Sequence, residues 1–311
     1  MKAKLSPYYY PTDIALVDDN SSFLDILSAS LSPKFSCKTF TDPVQALRYA
    51  NNQSYRHLSA LFTGDRRWQE NVFRYLSNKQ FDPSKNNELS VVIVDYDMPS
   101  IDGITFCKQL ASPSVRKILL TGCASSSEVV AAFNDNIIDY YIDKNSDDLL
   151  NDVQHAVTKM QKSYFHENLK SLMMSFMKKE APCFLDSQLA EYFDETCISL
   201  RVNEYYFMPE TSRFILRSSQ KDTLLIIASD KDIEEHINII KEEDGPTDWI
   251  EQLLTQQYVP FFNSNDGFYT PETQINKNPL LKATVIKGKE HNYYCALVDN
   301  HNVVYWDFSK K

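Results

Sequence analysis

Five short strand-like runs, each followed by a helical pattern, restrict this chain's fold more than any other feature. Ile14-Ala15-Leu16-Val17 ends in Asp18-Asp19, and Phe23, Ile26, Leu27 and Leu31 then recur at helical spacing. Cys37 to Thr41 predicts a second strand, and Thr41-Asp42-Pro43 opens a helix with proline in its first turn. Val91 to Val94 predicts a third strand, followed by a helix over Ile104 to Leu110. Lys117 to Thr121 is the fourth, with a helix from about Ser126 to Phe133. Asp139 to Asp143 is the fifth, with a last helix from about Asp147. Strands alternating with helices at this spacing predict βαβ crossovers and a doubly wound parallel sheet of α/β class. Such sheets build their sites at the carboxyl ends of the strands. Here those ends carry Asp18-Asp19, Asp95, Thr121 and Lys144.

The stretch Val91-Val92-Ile93-Val94-Asp95-Tyr96-Asp97-Met98-Pro99-Ser100-Ile101-Asp102-Gly103 sets three carboxylates directly after an apolar strand. Crowded acids repel one another, and a divalent cation relieves the repulsion. Oxygen ligands with room left for water suit Mg²⁺, which uses one or two carboxylates together with phosphate oxygens. A lysine and a threonine hydroxyl nearby supply a counter-charge and a hydrogen bond for a phosphoryl group. An aspartate then serves as covalent acceptor, with catalysis by positioning and charge neutralisation. Asp102 next to Gly103 reads as a turn pair suited to φ > 0.

Over residues 10 to 163 the sequence resembles the receiver (CheY-like) domain of two-component response regulators. ALVDDN resembles the family's first strand with its acidic pair, and IVDYDMPSIDG its phosphoacceptor strand and following loop. ILLTG resembles the strand that carries the switch hydroxyl, and DYYIDK the strand with the switch aromatic and lysine. Thr121 lies 26 residues and Lys144 49 residues beyond Asp95, close to the family's spacing. The resemblance implies that Asp95 is phosphorylated, and that Asp18, Asp19, Asp95 and the backbone carbonyl of Asp97 hold Mg²⁺. It implies that Thr121 bonds the phosphoryl group and that Lys144 pairs with the acceptor. Thr121 and Tyr141 are then the switch residues, with plain core packing as the alternative for Tyr141. A histidine kinase, a phosphotransfer protein or a small phosphodonor would supply the phosphoryl group. Asn145 stands after Lys144 where the family usually has proline. A cis bond there costs roughly 2.5–4 kcal/mol, so a trans peptide is expected.

The length of 311 residues fits two domains, and a hydrophobic content of 43% is enough for true cores. The expected division is a receiver over 1–163, a helical linker over 164–182 and an output domain of α+β type over 183–311. An insertion at about 51–88 interrupts the receiver between its second helix and third strand. That insertion is locally basic and carries a helix over Asp65 to Leu76, read either as local packing or as a docking surface. The last receiver helix runs on: Val153, Val157, Met160 and Tyr164 form a seam that Phe165, Leu169, Leu172 and Phe176 repeat one residue out of step. A continuous dimerising or signalling helix and two core helices meeting near Phe165 both fit. A homodimer through the 147–180 helix, or through the domain's face of fourth helix, fifth strand and fifth helix, is the expected assembly.

Six scattered cysteines without a C-x-x-C pair argue against zinc and disulfides and for a reducing cytoplasm. No apolar run approaches a membrane span, and the amino terminus lacks a secretory signal. In the second half, strands are expected at Phe214–Leu216, Leu224–Ile227, Lys282–Lys287, Tyr293–Val298 and Val303–Phe308. Helices are expected at Asp232–Ile240 and Trp249–Tyr258. From Phe165 onward, 15 Lys and Arg stand against 23 Asp and Glu. DNA binding needs cations to meet phosphates, so this balance disfavours a DNA-binding output. A Gly-rich phosphate loop, HExxH and GxSxG are all missing. Output through protein–protein interaction or dimerisation is therefore the expectation. A DNA-binding regulator and a PAS-like sensor or enzymatic output are the alternatives.

Overall fold

The computed structural model describes residues 5–32, 34–52, 88–122, 127–179, 182–208, 211–262, 264, 267–271 and 279–299, with the backbone alone for 167–179 and 182. The helix expected over Asp65 to Leu76 and the strand over Val303 to Phe308 lie outside them. The described residues fall into two compact units, one from Tyr10 to Lys170 and the other comprising those up to Tyr9 and from Ser171 onward.

The first unit is built on β2 (Asp13–Val17), β3 (Ser36–Phe40), β4 (Leu89–Asp95), β5 (Arg116–Thr121) and β6 (Tyr140–Asp143). They form one sheet in the order β3-β2-β4-β5-β6, and every pairing is parallel. All seven residues of β4 are buried, because a central parallel strand is covered on both faces. Alternation along the strands sorts the side chains cleanly. Ile14, Leu16, Val91, Ile93, Ile118 and Leu120 enter one core with Leu24, Leu27 and Leu31 of α1 (Ser21–Leu31). Val153, Ala156, Val157 and Met160 of α5 (Leu149–Lys179) close the same core. Ala15, Val17, Val92, Val94 and Leu119 enter the other. There they meet α2 (Pro43–Asn51), α3 (Gly103–Lys108) and α4 (Ser127–Asn134). This is the doubly wound, flavodoxin-like arrangement expected of a receiver.

Helix starts follow local chemistry. Asn20 accepts the Phe23 N–H to cap α1, and Asp42 accepts the Val44 N–H to cap α2 with Pro43 at its first position. Asp102 behaves the same way: its carboxylate accepts the Thr105 N–H at 2.8 Å and the Thr105 hydroxyl at 2.6 Å. It is thus a helix cap and not half of a turn with positive φ. Gly103 is required for room, since a Cβ there would stand 2.4 Å from the Asp95 carbonyl oxygen and 2.6 Å from Leu119 Cδ1. Helix α5 is a single helix of 31 residues, so the two-helix reading near Phe165 gives way to the continuous one. The seam residues Leu169, Leu172 and Phe176 lie where the backbone alone is described.

The second unit is an antiparallel sheet of six strands in the order β1-β7-β8-β9-β13-β12. These are β1 (Tyr8–Tyr9), β7 (Val202–Met208), β8 (Arg213–Ser218), β9 (Asp222–Ser229), β12 (Thr284–Lys287) and β13 (Asn292–Asp299). Its edge strand β1 comes from the amino terminus, which sequence reading placed with the receiver. Tyr8 and Tyr9 pair with Tyr206 and Tyr205, and the Leu5 N–H bonds the Phe184 carbonyl. On one face Phe184, Phe193, Tyr205, Phe207 and Phe214 pack edge to face or tilted, with Phe193 supplied by α6 (Ser187–Ser199). The other face packs Leu224, Ile226, Ala228 and Tyr294 against Ile233, Ile237 and Ile240 of α7 (Asp230–Glu242) and Leu253 of α8 (Thr247–Leu254). A short pair, β10 (Tyr258–Pro260) with β11 (Leu280–Lys282), adjoins this core. Among the described residues, no helix is long and apolar enough to cross a membrane.

Candidate functional site

The order β3-β2-β4-β5-β6 reverses direction between β2 and β4, and a crevice forms at the carboxyl ends of those two strands. Asp18 follows β2 and Asp95 ends β4, so the reversal point carries two acids. Both are buried, with 2% and 5% of their surfaces exposed, while Asp19 stands in solvent. Carboxylate oxygens of Asp18, Asp19 and Asp95 all lie within 4.8 Å of one another. Among the described residues this is the group of three or more His, Cys, Asp or Glu whose ligand atoms converge this closely.

Lys144, just beyond β6, reaches across to this cluster. Its Nζ lies 2.7 Å from Asp18 Oδ2 and 2.8 Å from Asp95 Oδ1. Burial disfavours its charge, but the hydrogen bonds to Asp18 and Asp95 outweigh this and raise its pKa. Asp95 is pushed above the usual carboxylate range, chiefly by burial, and the Asp18 charge adds to the rise. Lys144 and the Asp97 backbone N–H work in the opposite direction. Asp95 is therefore a more basic carboxylate than a solvated one, with an ammonium beside it that favours its ionised form.

Several contacts hold Lys144 in place. Its backbone N–H bonds the Thr121 carbonyl at 2.9 Å, and its Nζ sits 4.9 Å from the centre of the Phe23 ring. The peptide before Asn145 is trans, as expected. Asn145 donates its side-chain amide to the Gly122 carbonyl at 3.0 Å and its N–H to Asp143 at 2.9 Å. This polar clamp fixes the turn where proline stands in the family that the sequence resembles.

The remaining expected residues surround the cluster. Thr121 ends β5, next to β4, and is buried. Asp97 is exposed, and it meets Asp95 through its backbone N–H. Tyr141 is half-buried beside the core under α2, α3 and α4, and its ring meets the edge of Phe133 at 5.8 Å. It stands outside the carboxylate cluster, in ring packing.

Two features escaped the sequence. Phe23, which the helical spacing places on the apolar side of α1, packs against the core and also sets its ring beneath Lys144 Nζ. Tyr96, next to Asp95, donates its hydroxyl to Glu128 in the first turn of α4, and this contact raises its pKa to about 12. A charged residue at the second position of a helix gives no sign of a tyrosine 32 positions earlier.

No family model matches this sequence, and no curated protein matches it. Among solved structures, the Legionella pneumophila response regulator LqsR is similar over 96% of this chain and 90% of its own, with 24% identity and a TM-score of 0.76. The likeness therefore extends through both units and is one of fold. A receiver domain protein (CheY-like) from Methanospirillum hungatei matches over 50% of this chain and 98% of its own, at 16% identity and a TM-score of 0.37. The signal receiver domain of an HD domain-containing protein from Pseudomonas fluorescens matches over 50% of this chain and 98% of its own, at 22% identity and a TM-score of 0.35.

Proposed function

We propose that this protein is a cytoplasmic response regulator whose first unit accepts a phosphoryl group on Asp95 with Mg²⁺, changing how the second unit meets a protein partner or another copy of itself. The observation that carries this reading is the bridge from Lys144 to Asp18 and Asp95, with Asp19 open to solvent beside it. The fold shared along 96% of the chain with a protein described as a response regulator supports it.

The donor set fits a hard divalent cation: three carboxylates converge, and the exposed Asp19 leaves a side from which a hydrated ion can enter. Asp18, Asp19, Asp95 and the Asp97 carbonyl would hold Mg²⁺. When bound, the ion offsets the charge brought together by the carboxylates and the incoming phosphoryl oxygens. The chain's own groups do the rest. A carboxylate oxygen of Asp95 attacks the phosphorus of a phosphohistidine or a small acyl phosphate. The new P–O bond forms as the donor's P–N or P–O bond breaks, and the departing group keeps that electron pair. Lys144 holds Asp95 oriented and ionised before transfer, and its ammonium then pairs with the phosphoryl group. The Thr121 hydroxyl donates to a phosphoryl oxygen. Movement of Thr121 and Tyr141 toward that group repopulates the surface around α4, β6 and α5. A histidine kinase or phosphotransfer protein is the expected donor, and α5 or the α4-β6-α5 face the expected dimer contact.

Incubation with acetyl phosphate and Mg²⁺ tests the chemistry. The expected product is an acyl phosphate that hydroxylamine cleaves and that Asp95→Asn does not form. A hydroxylamine-resistant product, or equal labelling of the variant, would contradict the proposal.

A further inference from the structure

In the second unit, a cavity of about 60 Å³ opens between the start of β8, the end of β9 and α7. By this measure a single water needs roughly 10–15 Å³, so the space suits a few waters or one very small organic molecule. Arg213, the first residue of β8, lines it with 4% of its surface exposed. Arg213 stands opposite Ile226 and on the same sheet face, so the polar group is set into the edge of the apolar core under α7.

A buried guanidinium is ordinarily matched by a carboxylate. Here Nη2 donates to the Phe262 carbonyl at 3.1 Å, and the guanidinium lies 4.8 Å from the Phe261 ring centre. Among the described residues no acidic group pairs with it, and its Nε is buried without a hydrogen-bond partner. Burial pulls its pKa down to about 10. Thr211 lines the same cavity, and its hydroxyl is also buried without a hydrogen-bond partner. Gly267, at φ +80°, lets the opposite loop close over this pair, since a Cβ there would come within 3.3 Å of Nη2. Arg213 and Thr211 thus both line this space, and each keeps a buried polar atom without a partner. The other wall is acidic. Asp232 and Glu235 of α7 line the cavity, Glu235 on its exposed side. Asp232 accepts from the Ser229 N–H and hydroxyl, each at 2.7 Å, through its Oδ2.

We propose that this cavity binds a small zwitterion of the α-amino-acid class, its carboxylate on Arg213 and Thr211 and its ammonium toward Asp232 and Glu235. A simple anion would meet repulsion from the acidic wall, and a simple amine would leave Arg213 unmatched. The inference rests on the second unit alone and does not depend on phosphorylation of Asp95.

Calorimetric titration of the full chain with glycine, L-serine, acetate, inorganic phosphate and ethylamine tests it, alongside amide NMR shifts. Saturable binding of glycine or serine is expected, with shifts concentrated at Thr211, Ser212, Gly267 and Phe268. Loss of the guanidinium in Arg213→Gln should weaken binding about tenfold or more. Because that change alters a buried charge, Thr211→Val, which keeps the shape, is the second variant. It should weaken binding by roughly three- to tenfold while leaving the circular dichroism unchanged. The inference is overturned if neither amino acid binds, or if acetate, phosphate or ethylamine binds as tightly. Unchanged affinity in Thr211→Val overturns it too.

Discussion

Lys144 touches both buried acids, and that double contact separates its effect on metal from its effect on chemistry. Its ammonium opposes a second cation in the same space, so Lys144→Gln should bind Mg²⁺ at least as tightly as the native chain. Phosphoryl uptake should nevertheless fall by about tenfold or more, because the ammonium proposed to pair with the transferring group is gone. Calorimetry with Mg²⁺ and a labelling time course read the two effects separately, and a parallel loss of both would count against this arrangement. At this scale the sequence was legible wherever chemistry dictates residue type at a strand end. Asp18, Asp19, Asp95 and Lys144 converge because strand ends in a parallel sheet lie side by side. Phe23 and the Tyr96–Glu128 bond were not legible, since ring packing and a contact across two elements leave no periodic trace.

Within the elements, two positions are tied to specific contacts. In Gly103→Ala the new methyl would press on the Asp95 carbonyl and Leu119, and the backbone there is held by the Gly103 N–H to Tyr96 carbonyl bond. The substitution should destabilise the first unit by about 1–3 kcal/mol in urea denaturation, as overpacking does. In the second unit, Asp230 accepts from the Tyr294 hydroxyl at 2.6 Å and the Asn292 N–H at 2.9 Å. Burial works to raise its pKa, but these bonds outweigh it and the pKa is lowered. A depressed carboxylate stabilises the fold above its unfolded value and loses that contribution as pH falls through its folded value. Asp230→Asn should therefore cost about 1 kcal/mol near neutrality. The gap should close as pH drops below about 4, as followed by denaturation at each pH. Strands β2 and β4 were easy to locate in the sequence because both their faces are covered and their apolar runs are unbroken. Strand β1 was not, because two tyrosines beside a proline carry no alternation.

For the chain as a whole, the notable connection is the amino terminus, whose residues up to Tyr9 belong to the second unit's sheet. Deleting residues 1–9 should lower the melting temperature of the second unit by several degrees, for about 1–2 kcal/mol of lost edge pairing and packing. The first unit's amide NMR spectrum should change only near Tyr10. Equal destabilisation of both units would contradict this assignment. Charge balance argued against a nucleic-acid output, but the six-stranded sheet could not be assembled from sequence, since antiparallel neighbours such as β9 and β13 lie far apart in the chain.

The central claim is that Asp95 is a Mg²⁺-dependent phosphoryl acceptor, and intact-mass measurement after incubation with acetyl phosphate tests it most directly. The native chain with Mg²⁺ should gain the mass of one phosphoryl group, while the native chain with a chelator and Asp95→Asn with Mg²⁺ should gain none. No added mass on the native chain, or the same gain in Asp95→Asn, would contradict it.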